Sequence, residues 1–170
     1  SRALIQLQTI AKLDPSKIEF VQAYHHLINS EAFRAEIFKG SKTPLVFGES
    51  APWVATLINV LQVDAAGDHS KASDLRGGAI ELAPTVSTKV NGNETMPWFA
   101  DADSRLGPIF EVVVNGGFYW IPQDAIKEIA FDPVEDLRDL IWRPLTITFA
   151  NEGKFVGFMP VRYPGSEGSE

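Results

Sequence analysis

The fold is decided around residues 109–121, whose sequence is IFEVVVNGGFYWI. Asn115-Gly116 is a hairpin-type dipeptide, because both central positions of a type I′ turn need positive φ. Apolar runs flank the dipeptide on both sides, over Ile109–Val114 and Phe118–Ile121. The stretch therefore predicts two paired strands joined by a tight turn.

Further strand signals extend through the carboxy-terminal half of the chain, from Pro84 onward. The other predicted strands are 126–131, 145–149 and 155–159, with turns at Asn91-Gly92 and Asn151-Glu152-Gly153. Residues 135–140 predict a single helical turn among these strands.

The first third of the chain has the spacing of amphipathic helices. Apolar residues from Ala3 to Ala11 recur at helical intervals until Asp14-Pro15 interrupts them. Asp14 is expected to cap a second helix with Pro15 at its first position, and Gly40 is expected to end that helix. Two helices joined by a tight turn form the αα-hairpin found in helical-repeat proteins.

Two more helices are predicted before the strands begin. The first starts at Ser50, which we expect to cap it, and runs toward Gly67. The second covers 70–82 and contains Gly77-Gly78, which together cost about 2 kcal/mol of helix stability relative to alanine. The glycine pair is expected to mark either a close backbone approach or an early end of the helix.

Helices first and antiparallel strands afterwards predict an α+β fold. Residues 1–83 are expected to form N-terminal helical hairpins, and 84–164 a mostly antiparallel, strongly bent β-sheet packed on them. Residues 165–170, with the sequence GSEGSE, are expected to be a flexible tail.

The composition argues against several classes of function. A net charge of −7 argues against nucleic acid or an anionic membrane as the main partner. The chain has no cysteine, which removes disulfides, thiolate chemistry and cysteine-rich zinc sites. The longest apolar stretch, around Trp53–Leu61, is far shorter than the roughly 20 residues that span a bilayer. We therefore predict a cytoplasmic protein with no nucleic acid and no membrane among its partners.

The densest group of charged and aromatic residues is WFADADSRLGP, residues 98–108. Its members Trp98, Asp101, Asp103 and Arg105 allow two interpretations. The two acids could hold Mg²⁺ or Ca²⁺ through their carboxylate oxygens. Arg105, however, would repel a cation and would pair with an acid in a carboxylate–guanidinium fork. We therefore predict a buried ion-pair cluster that holds a loop.

A second dense motif has the sequence LRDLIWRP. Its residues Arg138, Asp139 and Trp142 could form a partner-binding hot spot, because tryptophan and arginine dominate such sites. The interpretation that we favour places Trp142 in the core. Arg138 would then pair with an acid such as Asp101 or Asp103.

The other aromatic and charged residues of interest are assigned structural roles. Arg162 and Tyr163 are expected to end the last strand by clamping a charged loop. Trp53, Trp98 and Trp120 are most simply core residues.

No motif in the sequence supplies a nucleophile, a general base or a cofactor cradle. His25 and His26 are adjacent on a predicted helix, so their side chains point about 100° apart, which is wrong for shared metal ligation. The nucleophile elbow G-x-S-x-G and the phosphate-binding G-x-x-x-x-G-K-[ST] are both missing. The sequence therefore assigns no catalytic, cofactor-binding or metal-binding residue.

Three long motifs occur in a characteristic order: WFADADSRLGPIFEVVVNGGFYWIP, then DLRDLIWRP, then PVRYPGSE. Together they resemble the ImpE/TagJ family of type VI secretion accessory proteins. The stretches GESAPWVATLINVL and RALIQLQTIAKLDPS also fit, so the resemblance covers essentially the whole chain. Family members extend further at both ends, which implies that the helical hairpins are the remnant of a tetratricopeptide-like segment.

The resemblance implies a non-enzymatic adaptor in the bacterial cytoplasm. Its expected partners are a small subunit of the contractile sheath and the ClpV-type AAA+ ATPase that disassembles the sheath. The family carries no catalytic residues or cofactors over to this chain, and its ATPase contact is expected largely upstream of Ser1. Two alternatives stay open: a divalent-metal-dependent hydrolase that uses Asp101 and Asp103, and a purely structural oligomerisation module.

Overall fold

The structure, a computed structural model, describes residues 2–48, 51–92 and 94–166. Four α-helices lie in the first half of the described chain, with the short strand β1 (Leu45–Val46) between the second and the third. They are α1 (Arg2–Leu13), α2 (Ile18–Phe38), α3 (Pro52–Ala65) and α4 (His69–Leu82). In the described part of the chain, no helix is both long enough and apolar enough to cross a membrane.

The start and end of α2 follow the local sequence with one difference. The Asp14 side chain accepts a hydrogen bond from the Ser16 N–H at 3.0 Å and caps a short 3-10 turn, Pro15–Lys17, that leads into α2. Asp14 therefore does not cap α2 directly. The helix ends at Phe38, and Gly40 follows with φ of +73°, a conformation that glycine adopts at little cost.

The described residues also contain eight strands and three short 3-10 turns, Pro15–Lys17, Gln123–Ala125 and Leu137–Leu140. The strands are β1 (Leu45–Val46), β2 (Thr88–Val90), β3 (Glu94–Met96), β4 (Ile109–Val114), β5 (Gly117–Pro122), β6 (Ile126–Phe131), β7 (Trp142–Phe149) and β8 (Lys154–Pro160). Six of them form one sheet in the order β1-β5-β4-β8-β7-β6, while β2 and β3 form a separate hairpin. Among the strand pairs of the described residues, only the short β1–β5 pair is parallel. The prediction of a mostly antiparallel α+β fold is confirmed.

The turn dipeptides have the backbone geometry that the sequence predicts. Asn115 and Gly116 have φ of 50° and 77°, and they join Val114 directly to its partner Gly117 in the β4–β5 hairpin. Asn91-Gly92 and Glu152 also have positive φ in the turns of the β2–β3 and β7–β8 hairpins. The hairpin register therefore follows from local turn chemistry.

The sheet is apolar on both faces, because alternate residues of a strand point to opposite sides. One face packs on the helices: its residues Ile109, Val113, Phe118 and Trp120 form a cluster with Leu27 and Ile37 of α2 and with Trp53 and Leu57 of α3. The other face contains Val112, Val114, Ile121, Leu145, Ile147 and Phe149. The central hairpin β4–β5 contributes to both clusters, which is why its sequence is so uniformly apolar.

The sequence predicts a core position for Trp98 and a helix cap at Ser50. The prediction that Trp98 is a core residue is wrong, since 48% of its surface is exposed. Trp98 lies in the loop after β3, and its neighbour Phe99 takes the inward position, with its ring stacked 5.9 Å from that of Phe110. Ser50, predicted as a helix cap, lies outside the described residues. The cap position of α3 is Ala51, which makes no side-chain cap bond.

Gly77 and Gly78 lie in the middle of an unbroken α4, so the predicted early end is wrong. The alternative of a close backbone approach is also wrong, because a Cβ atom at either position would meet nothing within 4 Å. Ala72 and Ala79 form the buried side of α4, whereas the two glycines are exposed. Nothing in the structure explains why these positions are glycine.

We expect the double substitution Gly77→Ala and Gly78→Ala to raise the free energy of unfolding by about 1–2 kcal/mol. The reason is that each glycine costs a helix interior close to 1 kcal/mol relative to alanine, and neither position is crowded. Equilibrium unfolding in urea measures the change. The matched control is Gly40→Ala, expected to lower stability, because its Cβ would lie 2.8 Å from the Leu61 carbonyl oxygen. A destabilised double variant would contradict the expectation.

Candidate functional site

A buried ion pair joins the helices to the sheet. Arg34 of α2 is 2% exposed and Glu111 of β4 is 5% exposed. The Arg34 Nε and NH2 groups donate hydrogen bonds to Glu111 Oε2 at 2.9 and 2.6 Å. Because Glu111 shares its strand face with Ile109 and Val113, this carboxylate lies inside the main core and depends on Arg34 for its charge.

Arg34 also reaches two other parts of the chain. Its NH1 group donates to Glu31 Oε1 at 3.2 Å and to the backbone carbonyl of Arg162 at 2.8 Å. Burial would lower the pKa of Arg34, but the hydrogen bond and negative charge of Glu111 outweigh it and raise the pKa. Arg34 is therefore a permanent cation that connects α2, β4 and the segment after β8.

The sequence analysis missed both members of this pair. A signal was available, since Glu111 is the one charged residue in the predicted strand Ile109–Val114. An acid on a buried strand requires a cationic partner, because a lone buried charge is costly. The sequence could not show which cation pairs with Glu111, because Arg34 lies 77 positions away in the chain.

The first dense motif forms a closed loop with internal bonds. The Asp101 N–H donates to the Gly107 carbonyl at 2.8 Å and closes the loop. The Asp103 carboxylate accepts a fork of hydrogen bonds from Arg105, with Nε at 2.9 Å and NH2 at 2.5 Å. Asp101 Oδ1 accepts from the Asp103 N–H at 2.7 Å and from the Tyr163 hydroxyl at 2.8 Å.

The loop is connected to the buried pair through one aromatic ring. The Arg105 guanidinium lies 4.6 Å from the centre of the Phe38 ring, and that of Arg34 lies 5.5 Å from it. We call the set Arg34, Asp101, Asp103, Arg105, Glu111 and Tyr163 the junction network. It ties α2, β4, the 101–107 loop and the segment after β8 to one another.

The acids of the junction network are not arranged as metal ligands. The Asp103 oxygens are occupied by Arg105, and Asp101 Oδ1 is occupied by a hydroxyl and an amide. Within the described ranges, no group of three or more His, Cys, Asp or Glu residues could hold a metal ion. Each charged group of the network is bonded to another part of the same chain. The arrangement therefore supports a structural role, in which the network holds these segments together.

We expect Asp103→Asn to lower the free energy of unfolding by about 1 kcal/mol at pH 7, through loss of the charged fork. Burial raises the pKa of Asp103, but the hydrogen bonds from Arg105 outweigh burial and lower the pKa below 3.8. The stabilisation is therefore present above pH 3.8 and is lost as the pH falls through the lowered pKa. Urea unfolding of the wild type and of Asp103→Asn at pH 7 and pH 3 tests the prediction, and Asp74→Asn, on the exposed side of α4, is the control. A stability difference between wild type and Asp103→Asn that is as large at pH 3 as at pH 7 would contradict the prediction.

The second dense motif forms a separate cluster that packs against α2. The Arg138 guanidinium lies over the Phe20 and Tyr24 rings, 4.7 and 4.9 Å from their centres, and is ion-paired with Asp136. Arg138 does pair with an acid, as predicted, but the acid is Asp136, so the two examples Asp101 and Asp103 are wrong. Asp136 caps the short 3-10 turn that carries Arg138 and is therefore the nearer acid.

The other predicted residues of this motif also contact their own chain. The Asp139 carboxylate accepts hydrogen bonds from the N–H groups of Glu135 and Asp136, at 2.9 and 3.2 Å. Trp142 is half-buried, with its ring edge-on to Tyr24 at 6.2 Å. Asp139 and Trp142 thus contact their own chain, and Arg138, although exposed, is also paired within it.

Known proteins that are similar to this chain support the family resemblance carried by its three motifs. The ImpE protein family matches residues 93–170. The chain is 41% identical over 163 residues to the type VI secretion system accessory component TagJ of Pseudomonas aeruginosa, an alignment that covers 96% of this chain and 58% of that protein. The fold matches the crystal structure of protein VPA1032 from Vibrio parahaemolyticus with a TM-score of 0.86 and 24% identity, over 96% of this chain and 62% of that one.

The chain thus spans less than two thirds of the length of either relative. The likeness to the Vibrio structure supports the fold alone, because the sequences are only 24% identical. The family match and the identity to TagJ agree with the resemblance carried by the three motifs. The resemblance to the ImpE family is therefore confirmed, by the family match over residues 93–170 and by the 41% identity to TagJ.

Proposed function

We propose that this chain is a non-enzymatic adaptor of the bacterial type VI secretion system that works in the cytoplasm. The observation that carries the proposal is 41% identity, over 96% of the chain, to a protein named as an accessory component of that system. The proposed partners are a small subunit of the contractile sheath, the ClpV-type ATPase that disassembles the sheath, or both.

The junction network supports a binding role over catalysis. Its ion pairs and hydrogen bonds link the sheet, α2 and the 101–107 loop into one body. A body of this kind can present exposed helices and strand edges in a constant arrangement, which is what a docking protein requires. The exposed apolar residues Leu137 and Leu140, at 81% and 53%, are available for such contacts.

Isothermal titration of the protein with the purified small sheath subunit, and then with the ATPase amino-terminal domain, tests the proposal. Saturable binding to either partner supports it, and binding to the sheath subunit alone places that contact on the residues of this chain. Binding to neither would contradict the proposal. Self-association in sedimentation experiments, with no binding to either partner, would favour the oligomerisation module instead. Asp74→Asn, at an exposed side chain outside the junction network, is the control, and we expect its partner affinity to equal that of the wild type.

A further inference from the structure

A wide cleft separates the β2–β3 hairpin from the edge of the large sheet. Its volume is about 1090 Å³. One wall is made by Thr88–Val90 of β2, and the opposite wall is made by residues of β6. The apolar side chains of Phe99, Phe110 and Met159 line the space between them. Four residues of the junction network, Arg34, Asp101, Glu111 and Tyr163, also line the cleft.

Strand β6 is the last strand of the sheet, so one side of its backbone is unpaired. The register with β7 shows which groups face that side. The Asp132 N–H donates to the Pro144 carbonyl at 3.0 Å, and Phe131 is paired with Leu145. In an antiparallel pair, alternate residues point their backbone groups to the partner strand. The N–H and C=O groups of Ile129 and Phe131 therefore point away from β7, at the open edge.

A β-bulge interrupts the strand pairing at one end of this edge, whereas the pairing at the other end is regular. The register shifts between Ile126 and Glu128, and Lys127 at this bulge is ion-paired with Glu152. Bulges and charges of this kind protect edge strands from unwanted pairing. From Glu128 to Phe131 the pairing is continuous, which leaves about 13 Å of regular edge.

Side chains divide the open edge into an apolar and an acidic face. Ile129 packs on the second core cluster, and Phe131, which points to the same face, is still 49% exposed. Glu128 and Asp132 are exposed and alternate with these residues, so they lie on the opposite face. Neither acid makes an ion pair within the part of the chain that the structure describes.

We propose that this edge binds an extended segment of a partner protein as an added antiparallel strand. The recognised pattern is a basic residue, an apolar residue, any residue, an apolar residue and a second basic residue. The two apolar side chains would lie beside Ile129 and Phe131 and cover the exposed ring. The two bases would lie across from Glu128 and Asp132, where opposite charges on paired strands are favourable.

Charge also argues against a second copy of the chain as the occupant. Two β6 strands that pair antiparallel about Ala130 would place Glu128 opposite Asp132 at both ends. Like charges directly opposite each other destabilise a strand pair. Centring the pair on Phe131 instead would place Pro133, which has no N–H group, in the ladder opposite Ile129.

The inference rests on the proposed adaptor function only in assigning the segment to a secretion protein. Its direct test is selection of random nine-residue peptides displayed on phage against the intact protein. We expect the selected peptides to share the alternating pattern with two bases. No enrichment, or a pattern without alternation, would overturn the inference.

A matched pair of variants separates backbone pairing from side-chain contact. Phe131→Ala and Phe131→Pro both remove the ring, but only proline removes the N–H at the open edge, and neither touches the bonds to β7. In fluorescence anisotropy with a selected peptide, we expect at least tenfold weaker binding for Phe131→Pro than for Phe131→Ala. Equal affinity of the two variants would overturn the proposal.

A charge exchange keeps the test decisive if the proline variant does not fold. The double variant Glu128→Lys and Asp132→Lys leaves the backbone intact, and we expect it to select acids where the wild type selects bases. Selection of the same peptides would overturn the inference, as would a solution dimer that Phe131→Pro dissociates.

If the sheath subunit and the ATPase do not bind but peptides are selected, only the adaptor function fails. If a partner binds both Phe131 variants equally, only this inference fails.

Discussion

Replacement of Arg34 by methionine is expected to lower the free energy of unfolding by about 3–5 kcal/mol, because it leaves a buried carboxylate without its partner. Glu111 is 5% exposed, and both of its hydrogen bonds from charged donors come from Arg34. Burial raises the pKa of Glu111, and the Arg34 guanidinium opposes that effect. Without Arg34 the carboxylate must either stay charged in the core or take up a proton, and both cost stability.

A double variant separates the loss of the partner from the loss of packing. Arg34→Met combined with Glu111→Met removes both charges, and an apolar pair of similar volume in place of a buried ion pair is often neutral or stabilising. We therefore expect the double variant to recover most of the loss seen for Arg34→Met in urea unfolding at pH 7. Lys39→Met is the control, since the Lys39–Glu36 pair is exposed and is expected to contribute less than about 1 kcal/mol. Additive losses in the double variant would contradict this explanation.

Gly157→Ala is expected to lower the free energy of unfolding by about 3 kcal/mol, at the upper end of overpacking costs. Gly157 of β8 lies between Val114 of β4 and Leu145 of β7. A Cβ atom there would be 2.6 Å from the Val113 carbonyl oxygen and 2.9 Å from Val114 Cγ2. The first contact is with backbone in the middle of the sheet, so relief requires β4 and β8 to separate.

Two measurements distinguish this crowding from a general effect of mutation in β8. Urea unfolding gives the stability, and amide hydrogen exchange at Val113 and Val114 reports on the β4–β8 ladder, which we expect to lose protection first. Val156→Ala, at a side chain that is 70% exposed on the same strand, is the control and is expected to change stability by less than about 1 kcal/mol. A Gly157→Ala protein as stable as the control would show that the strands can move apart freely.

Much of the fold could be predicted because its causes are local. The Asn115-Gly116 turn, the apolar runs of β4 and β5 and the end of α2 before Gly40 each depend on residues next to one another in the chain. The order of helices and strands follows from the same signals. The parallel β1–β5 pair could not be predicted, because nothing in the two residues Leu45–Val46 specifies which strand they join.

The candidate site was predictable only in part, for a related reason. Asp103 and Arg105 are two residues apart and form a fork that short spacing favours. Asp101 bonds with Tyr163, 62 positions away, and the sequence motifs suggested only that Tyr163 clamps a charged loop. Arg138 was given the wrong acid, because the choice among nearby carboxylates depends on where a short 3-10 turn places the side chain.

Local sequence was thus sufficient for the helices, the hairpins, the α+β class and the family, since turn chemistry, periodicity and contiguous motifs act over a few residues. Tertiary structure alone decided the pairing of Arg34 with Glu111, the need for glycine at 157 and the exposure of Trp98. Each of these depends on which distant segments come within a few ångströms of each other. The physical reason is that burial of a charge, and the room for one methyl group, are properties of the packed molecule.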